Sequence, residues 1–421
     1  MVKKIIIAAV FLLSLAGSVG ITFIPAAKPP KPESFTIPTD QSVICAPGRG
    51  ETTILALGQD QIKVGALGAT ATDAGSLVNL EKQTKAKVLS SSKRFVAGSF
   101  VKDKSYGWAD CVTPRTNAVL QLANPKDSDL ILLNPDESET SVDLTLLGPT
   151  GEIESSGSRG FGLSPKTSRV VAISKIVPDN RPIGVLVSAT AGRVGVVGRS
   201  WDTKYGDFAN TSFAGKELII PGIPSGAKTT KLIVTNPGVR RATIDVAALG
   251  GQRMALADAQ GIGIKPGHTT EIDLSKGVAE EALALLVESD LPVIASAITK
   301  ADGDYALVRA VEPYLNGGLV APAGGSFSVT NPNKKELLAT VAIDSAGGGL
   351  KTEKITIGAG ETWVTKPAAE KGVVTYKLIS SLPTVAAVSV LNKEGGYIVP
   401  MQSLVNPVAT KTKISYDSQQ H

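Results

Sequence analysis

Histidine is almost missing from this chain, with only His268 and the terminal His421 among 421 residues. Hydrolysis by a Ser-His-acid arrangement needs an imidazole within reach of the nucleophile, so His268 alone would have to supply it. It sits in Lys265-Pro266-Gly267-His268-Thr269, a turn-forming string whose counterparts elsewhere place Thr167 and Glu361 at the same point. An exposed turn residue is the better reading than a general base. No serine lies in a Gly-x-Ser-x-Gly elbow. The catalytic assignment is therefore none, and no enzyme class is expected.

Cysteine is equally scarce, at two residues, Cys45 and Cys111. Two cysteines and two histidines spread over the chain lack the tight local spacing of a zinc site, so the metal and cofactor assignments are also none. The formal charge of +5 carries little beyond the N-terminus: Lys3, Lys4, Lys28 and Lys31 all precede residue 33 without an acid among them, and removing them from 43 basic residues leaves 39 against 38 acidic ones. A nucleic-acid surface needs clustered Lys and Arg, and no such run exists. Aromatic residues are few, at 5%. Trp108, Trp201 and Trp363 are the candidate ligand-stacking residues, with a core or strand-edge role as the competing assignment.

Other acidic and glycine-rich strings are weak signals. Asp136-Glu137 and Glu280-Glu281 are adjacent pairs in polar segments and read as solvated charges rather than glycosidase carboxylates. Gly347-Gly348-Gly349 lacks the Lys-Ser/Thr ending of a phosphate loop. Asp302-Gly303-Asp304 falls short of the six to eight oxygens that calcium takes, and reads as a hairpin turn.

What is present begins with one long apolar run. Met1-Val2-Lys3-Lys4 gives a basic flank, and Ile5 to Ala27 follows without a charge. This is an export segment, long enough to serve as a transmembrane anchor, with cleavage as a signal peptide the alternative. The positive-inside rule puts everything after it outside. Residues 28–40 (KPPKPESFTIPTD) form a proline-rich linker. Outside the cell an even pair of cysteines is expected as a disulfide, Cys45 with Cys111.

Gly (43) and Pro (25), with recurring Val, Ile, Thr and Ser, fit many short strands joined by turns. One phrase returns three times: LILLNPDESETSVDLTLLGPTG from Leu130, LIVTNPGVRRATIDVAALGG from Leu232 and FSVTNPNKKELLATVAIDSAG from Phe327. In each, a strand runs into Asn-Pro (Asn134, Asn236, Asn331), a polar stretch turns the chain, and an alternating strand returns. Proline ends the ladder and holds the preceding residue extended, while the Asn side chain can bond the turn backbone. Asn124-Pro125 and Asn406-Pro407 lack the returning strand. Matching turns follow at Leu163–Ser168, Ile264–Thr269 and Ile357–Thr362, then β-rich pairs at Gly184–Gly198, Ala284–Ile298 and Val374–Val390. Only Ser275 to Leu286 has the pattern of a helix.

The expected architecture is all-β: tandem immunoglobulin-like β-sandwiches, with a closed β-propeller-like arrangement as the alternative. The divisions are 1–27 anchor or signal segment, 28–40 linker, 41–115 N-terminal β-rich region, 116–215, 216–315 and 316–408 as three repeats, and 409–421 a polar tail.

The order of these features, with Cys-Ala-Pro-Gly at Cys45–Gly48, Trp108 before Cys111, repeated Asn-Pro hairpins and Glu-Ser-Asp-x-Pro-Val at Glu288–Val293, resembles a family of actinobacterial exported or membrane-anchored cell-envelope proteins of unknown function. The resemblance implies envelope residence, a Cys45–Cys111 disulfide and tandem β-domains, and supplies no catalytic residue. The expected role is a non-enzymatic extracytoplasmic binding or scaffolding module whose partners are the membrane, through residues 1–27, and an envelope protein or polysaccharide. A carbohydrate- or glycolipid-binding accessory to envelope polymer assembly is the second expectation.

Overall fold

Alternation decides the strands. In Ala242–Leu249 the residues Ala242, Ile244, Val246 and Ala248 are buried while Thr243 and Asp245 are exposed, as a sheet with one face on a core requires. The computed structural model describes residues 41–102, 105–177, 179–201, 206–278, 281–301, 304–345, 348–392 and 395–404. The N-terminal apolar segment, the proline-rich linker and the polar tail lie outside them. Among the described residues, no helix is long and apolar enough to cross a membrane.

The strands form four modules, each with two small antiparallel sheets. In the first, Gln41–Cys45, Lys87–Ser91, Lys63–Ala66 and Thr72–Asp73 face Leu77–Gln83, Glu51–Gly58, Phe95–Lys102 and Tyr106–Asp110. In the second, Ser168–Ala172, Ser128–Leu133, Gly195–Trp201 and Gly206–Ala209 face Gly151–Glu152, Thr140–Gly148, Ile183–Ala191 and Asn117–Leu122. The third and fourth follow the second, with one strand in each running through both sheets. Leu283–Lys300 pairs first with Gly215–Ile223 and Ala242–Leu249, then crosses to Thr229–Thr235 and Tyr305–Arg309. Val373–Leu391 makes the same crossing. The β-rich pairs expected there are thus single strands shared by two sheets. Pro292 and Pro383 stand at the crossings, where a missing N–H suits a change of partner. In the second module Gly192 adopts φ +73° and splits the strand in two.

The helix expected over Ser275–Leu286 is a correction: only Ser275–Val278 is helical, and the chain is already a strand from Leu283. The apolar run Leu283–Val287 is buried at every position, because it is the shared strand between two partners rather than one face of a helix.

Cys45 and Cys111 are bonded, tying the first strand of the first module to the segment leaving its last. The three repeated Asn residues are fully buried clamps. Asn236 Nδ2 donates to the carbonyls of Arg240 (2.7 Å) and Ile264 (3.0 Å), and its Oδ1 accepts from Gly238 N–H (2.9 Å). Asn134 and Asn331 repeat this on Ser138, Leu163 and Asp136, and on Lys335, Ile357 and Asn333. Their backbone N–H groups reach Thr167, His268 and Glu361 carbonyls, each at 2.9 Å. One side chain thus joins the hairpin to the matching turn downstream.

The modules close on one another. Ile44, Val101 and Val112 pack on Ile131, Leu133 and Phe208 between the first and second. Ile233, Ile298 and Leu307 of the third join the core of the second, and Ile219, Leu249 and Leu286 meet Val385 of the fourth. Leu55, Leu57, Val96 and Trp108 of the first complete the core of the fourth. The all-β expectation holds, and the arrangement is the propeller-like closed one given as the alternative, with each blade a two-sheet module.

Candidate functional site

Four short strands line the centre of the ring: Tyr106–Asp110, Gly206–Ala209, Tyr305–Arg309 and Gly396–Pro400. Each touches the next, and the last touches the first. Each carries a buried aromatic residue, Trp108, Phe208, Tyr305 and Tyr397. Gly107, Asp207 and Gly396 lie on three of these strands, and Asp304 immediately precedes the fourth. Glycine at 107 leaves room for one carboxyl, since a Cβ there would stand 3.2 Å from Asp207 Oδ1.

Asp304 is the hub. Its Oδ1 accepts from the N–H of Tyr305 (2.9 Å) and Gly206 (3.4 Å), and its Oδ2 from Tyr106 (3.1 Å) and Gly396 (2.9 Å), one donor from each module. Asp207 accepts from Trp108 (3.0 Å), Phe208 (2.7 Å) and Leu307 (2.7 Å). Burial pushes Asp304 up to about 6 against the downward pull of its four N–H donors. Burial also raises Asp207 well above the usual carboxylate range, and the Asp304 charge acts in the same direction. Two buried carboxylates this close resist ionising together.

Below this pair a third carboxylate, Asp110, is held by Trp108 Nε1 (2.9 Å), Gln402 Nε2 (3.1 Å) and Arg309 Nη2 (2.8 Å). Asn210 accepts from Asp110 N–H at 2.7 Å and donates to Trp108 carbonyl at 3.1 Å. All four modules therefore meet in this polar floor. The chain leaves every inner strand at this end, so the segments around Thr113, Ser212, Glu312 and Gln402 come together as the walls of a cleft of about 560 Å³. Arg94, Arg115 and Arg309 line it beside Asn117 and Tyr314. Loops held by a rigid scaffold are where binding groups concentrate, and this cleft is the candidate site.

The residues singled out in the sequence lie elsewhere. Trp108 is 2% exposed, with no ring face open to a ligand. Trp363 is half-buried, edge-on to Phe327 at 6.5 Å between ring centres, and the Trp201 side chain lies outside the described residues. Neither Trp108 nor Trp363 lines the cleft. His268 stays in its turn, Nδ1 2.6 Å from the Pro266 carbonyl. Asp136 and Glu137 pair with Arg193 and Lys166, and Glu281 accepts from Gly251 N–H at 3.0 Å; Glu280, Asp302 and Gly303 lie outside the described residues. Sequence reasoning missed Asp110, Arg115, Asp207 and Arg309, and read Asp304 as part of a hairpin turn. The available signal was the aromatic at 108, 208, 305 and 397, a spacing near 100 residues that also reaches the first module.

No curated protein matches the chain. Among solved structures, an α-L-rhamnosidase from Streptomyces avermitilis matches at 9% identity and a TM-score of 0.15, covering 84% of this chain and 54% of its own; the chain thus spans about half of that protein. A tetra-tandem repeat from the extending region of a large adhesion protein matches at 10% identity and a TM-score of 0.10, covering 86% of this chain and 93% of its own. The VP2 subviral particle of infectious bursal disease virus matches at 12% identity and a TM-score of 0.13, covering 86% and 87%. These likenesses are too slight to carry an argument. A family of unknown function (DUF5719) matches residues 106–368, from the first inner strand into the fourth module, and the chain belongs to that family.

Proposed function

We propose that this is a non-enzymatic extracytoplasmic protein of the cell envelope, of the actinobacterial kind its sequence resembles, that binds an envelope component through the cleft at the end of its central axis. One observation carries the reading: the exit segments of the four inner strands come together around one polar cleft. On this reading residues 1–27 deliver the chain to the outer side of the membrane, and the proline-rich residues 28–40 link that segment to the ring. The three Asn-Pro hairpins mark repeats of one module, each held by its own Asn clamp.

The test is co-sedimentation of the full chain with purified envelope polysaccharide and with vesicles of envelope lipid, beside a variant carrying Thr113→Trp and Asn117→Trp. Both positions are exposed on the cleft wall, so the bulk fills the cleft without touching the core. Binding that the double variant loses supports the proposal. Binding it retains, or no binding to any envelope fraction, rejects it.

A further inference from the structure

The ligand class can be read from the donors in the cleft. Arg309 is fixed rather than free: Nε and Nη2 both reach Asp110 Oδ2, at 3.3 and 2.8 Å, and Nη1 donates to the Ala310 carbonyl at 3.0 Å. A guanidinium has five N–H groups in a planar fork, so two remain unspent where this side chain, 20% exposed, lines the cleft. Asp110 thus acts as an orienting partner whose own Oδ1 is taken by Trp108 and Gln402. Arg115 is exposed on the wall and makes no ion pair among the described residues. Around them stand hydroxyl and amide groups, Thr113, Asn117, Thr211 and Gln402.

An oriented arginine fork beside an unpaired arginine is suited to an oxyanion. Hydroxyls and amides that both donate and accept are suited to a polyhydroxylated chain. The charges that oppose an anion are Asp110, neutralised by Arg309, and Glu312, exposed on the rim.

We infer that the axial cleft binds an acidic saccharide, seating its carboxylate or phosphate oxygens on Arg309 and Arg115. This deepens the proposed function and rests on it. The saccharide's hydroxyls replace water at the Thr113, Asn117 and Gln402 side chains, and the rim carboxylate of Glu312 limits affinity.

The experiment is calorimetric titration of the full chain with three probes: a trigalacturonate, the same trisaccharide with its carboxyls reduced to alcohols, and a trisaccharide monophosphate. Acidic probes are expected to bind at least about ten-fold more tightly than the reduced one, and more weakly at high salt. Arg115→Ala should weaken them about ten-fold, Arg115→Lys should restore part of the loss, and Glu312→Gln should tighten them; both positions are exposed, which keeps folding out of the result. The phosphate probe distinguishes the source of the anion, and preference for either acid supports the inference. Equal affinity for acidic and reduced probes overturns it while leaving the proposed function standing. Acidic binding indifferent to residues 115 and 312 overturns it by placing the site elsewhere. No binding of any probe at millimolar concentration overturns it too, and the sedimentation with whole envelope polymers then decides the broader reading alone.

Discussion

Replacing Asn236 with alanine removes three hydrogen bonds, to Arg240, Ile264 and Gly238, from a fully buried position. At about 1 kcal/mol net for each bond, with a further penalty for buried partners left unpaired, the loss is about 3–4 kcal/mol. Asn236→Asp keeps the shape and the acceptor facing Gly238. It then turns a carboxyl oxygen toward two carbonyl oxygens that now lie 2.7 and 3.0 Å from an amide nitrogen. The aspartate must stay protonated to donate even one bond, so its cost should grow as pH rises. Asn124, also followed by proline, is only half-buried and bonds Asp127 at the surface, so Asn124→Ala should cost under about 1 kcal/mol. Urea unfolding, read as midpoint shifts at constant slope, measures all three. Equal costs for Asn124→Ala and Asn236→Ala would refute the clamp argument, as would a pH-independent Asn236→Asp.

Further outcomes follow from the same contacts. The Cys45–Cys111 bond closes a separation of 66 residues, so the chain-entropy estimate gives about 4 kcal/mol lost on reduction; thermal unfolding with and without reductant should show destabilisation of that order. Asp304 has a folded value of about 6 against an ordinary 3.8. The folded state therefore binds the proton more tightly, and the stability contributed is full below about 4 and lost as pH rises through about 6. Between pH 4 and 7 the native chain should fall relative to Asp304→Asn by on the order of 2 kcal/mol, and parallel stability curves for the two would contradict the axial burial of this carboxyl. Gly184 faces Thr235 across the second and third modules with no room for a Cβ, so Gly184→Ala should cost about 1–3 kcal/mol, visible as a lower melting temperature.

Local chemistry made the repeats legible. Asn-Pro, the alternating return strand and the later turn are tied by one side chain, so all three signals sit within about 35 residues of each other. The first module was read only as β-rich because it has no Asn-Pro phrase and is held by a disulfide instead. Ring closure was not legible because Leu55, Leu57, Val96 and Trp108 look like any core residues; nothing local says that their partners are Val388 and Tyr397. Asp304 was taken for a hairpin residue for the same reason. Its four donors come from positions 106, 206, 305 and 396, and only closure brings them together. The cleft inherits that obscurity, being built from four segments of the chain, each polar and unremarkable alone.

The account depends most on the ring being closed, since an open array of modules has neither axis nor cleft. Small-angle scattering of residues 41–404 tests this directly. A closed body of this length has a radius of gyration of about 21 Å, whereas four modules end to end, each about 30 Å along its strands, give about 35 Å. A value near the first is predicted, and a value near the second would contradict the ring and the site built on it.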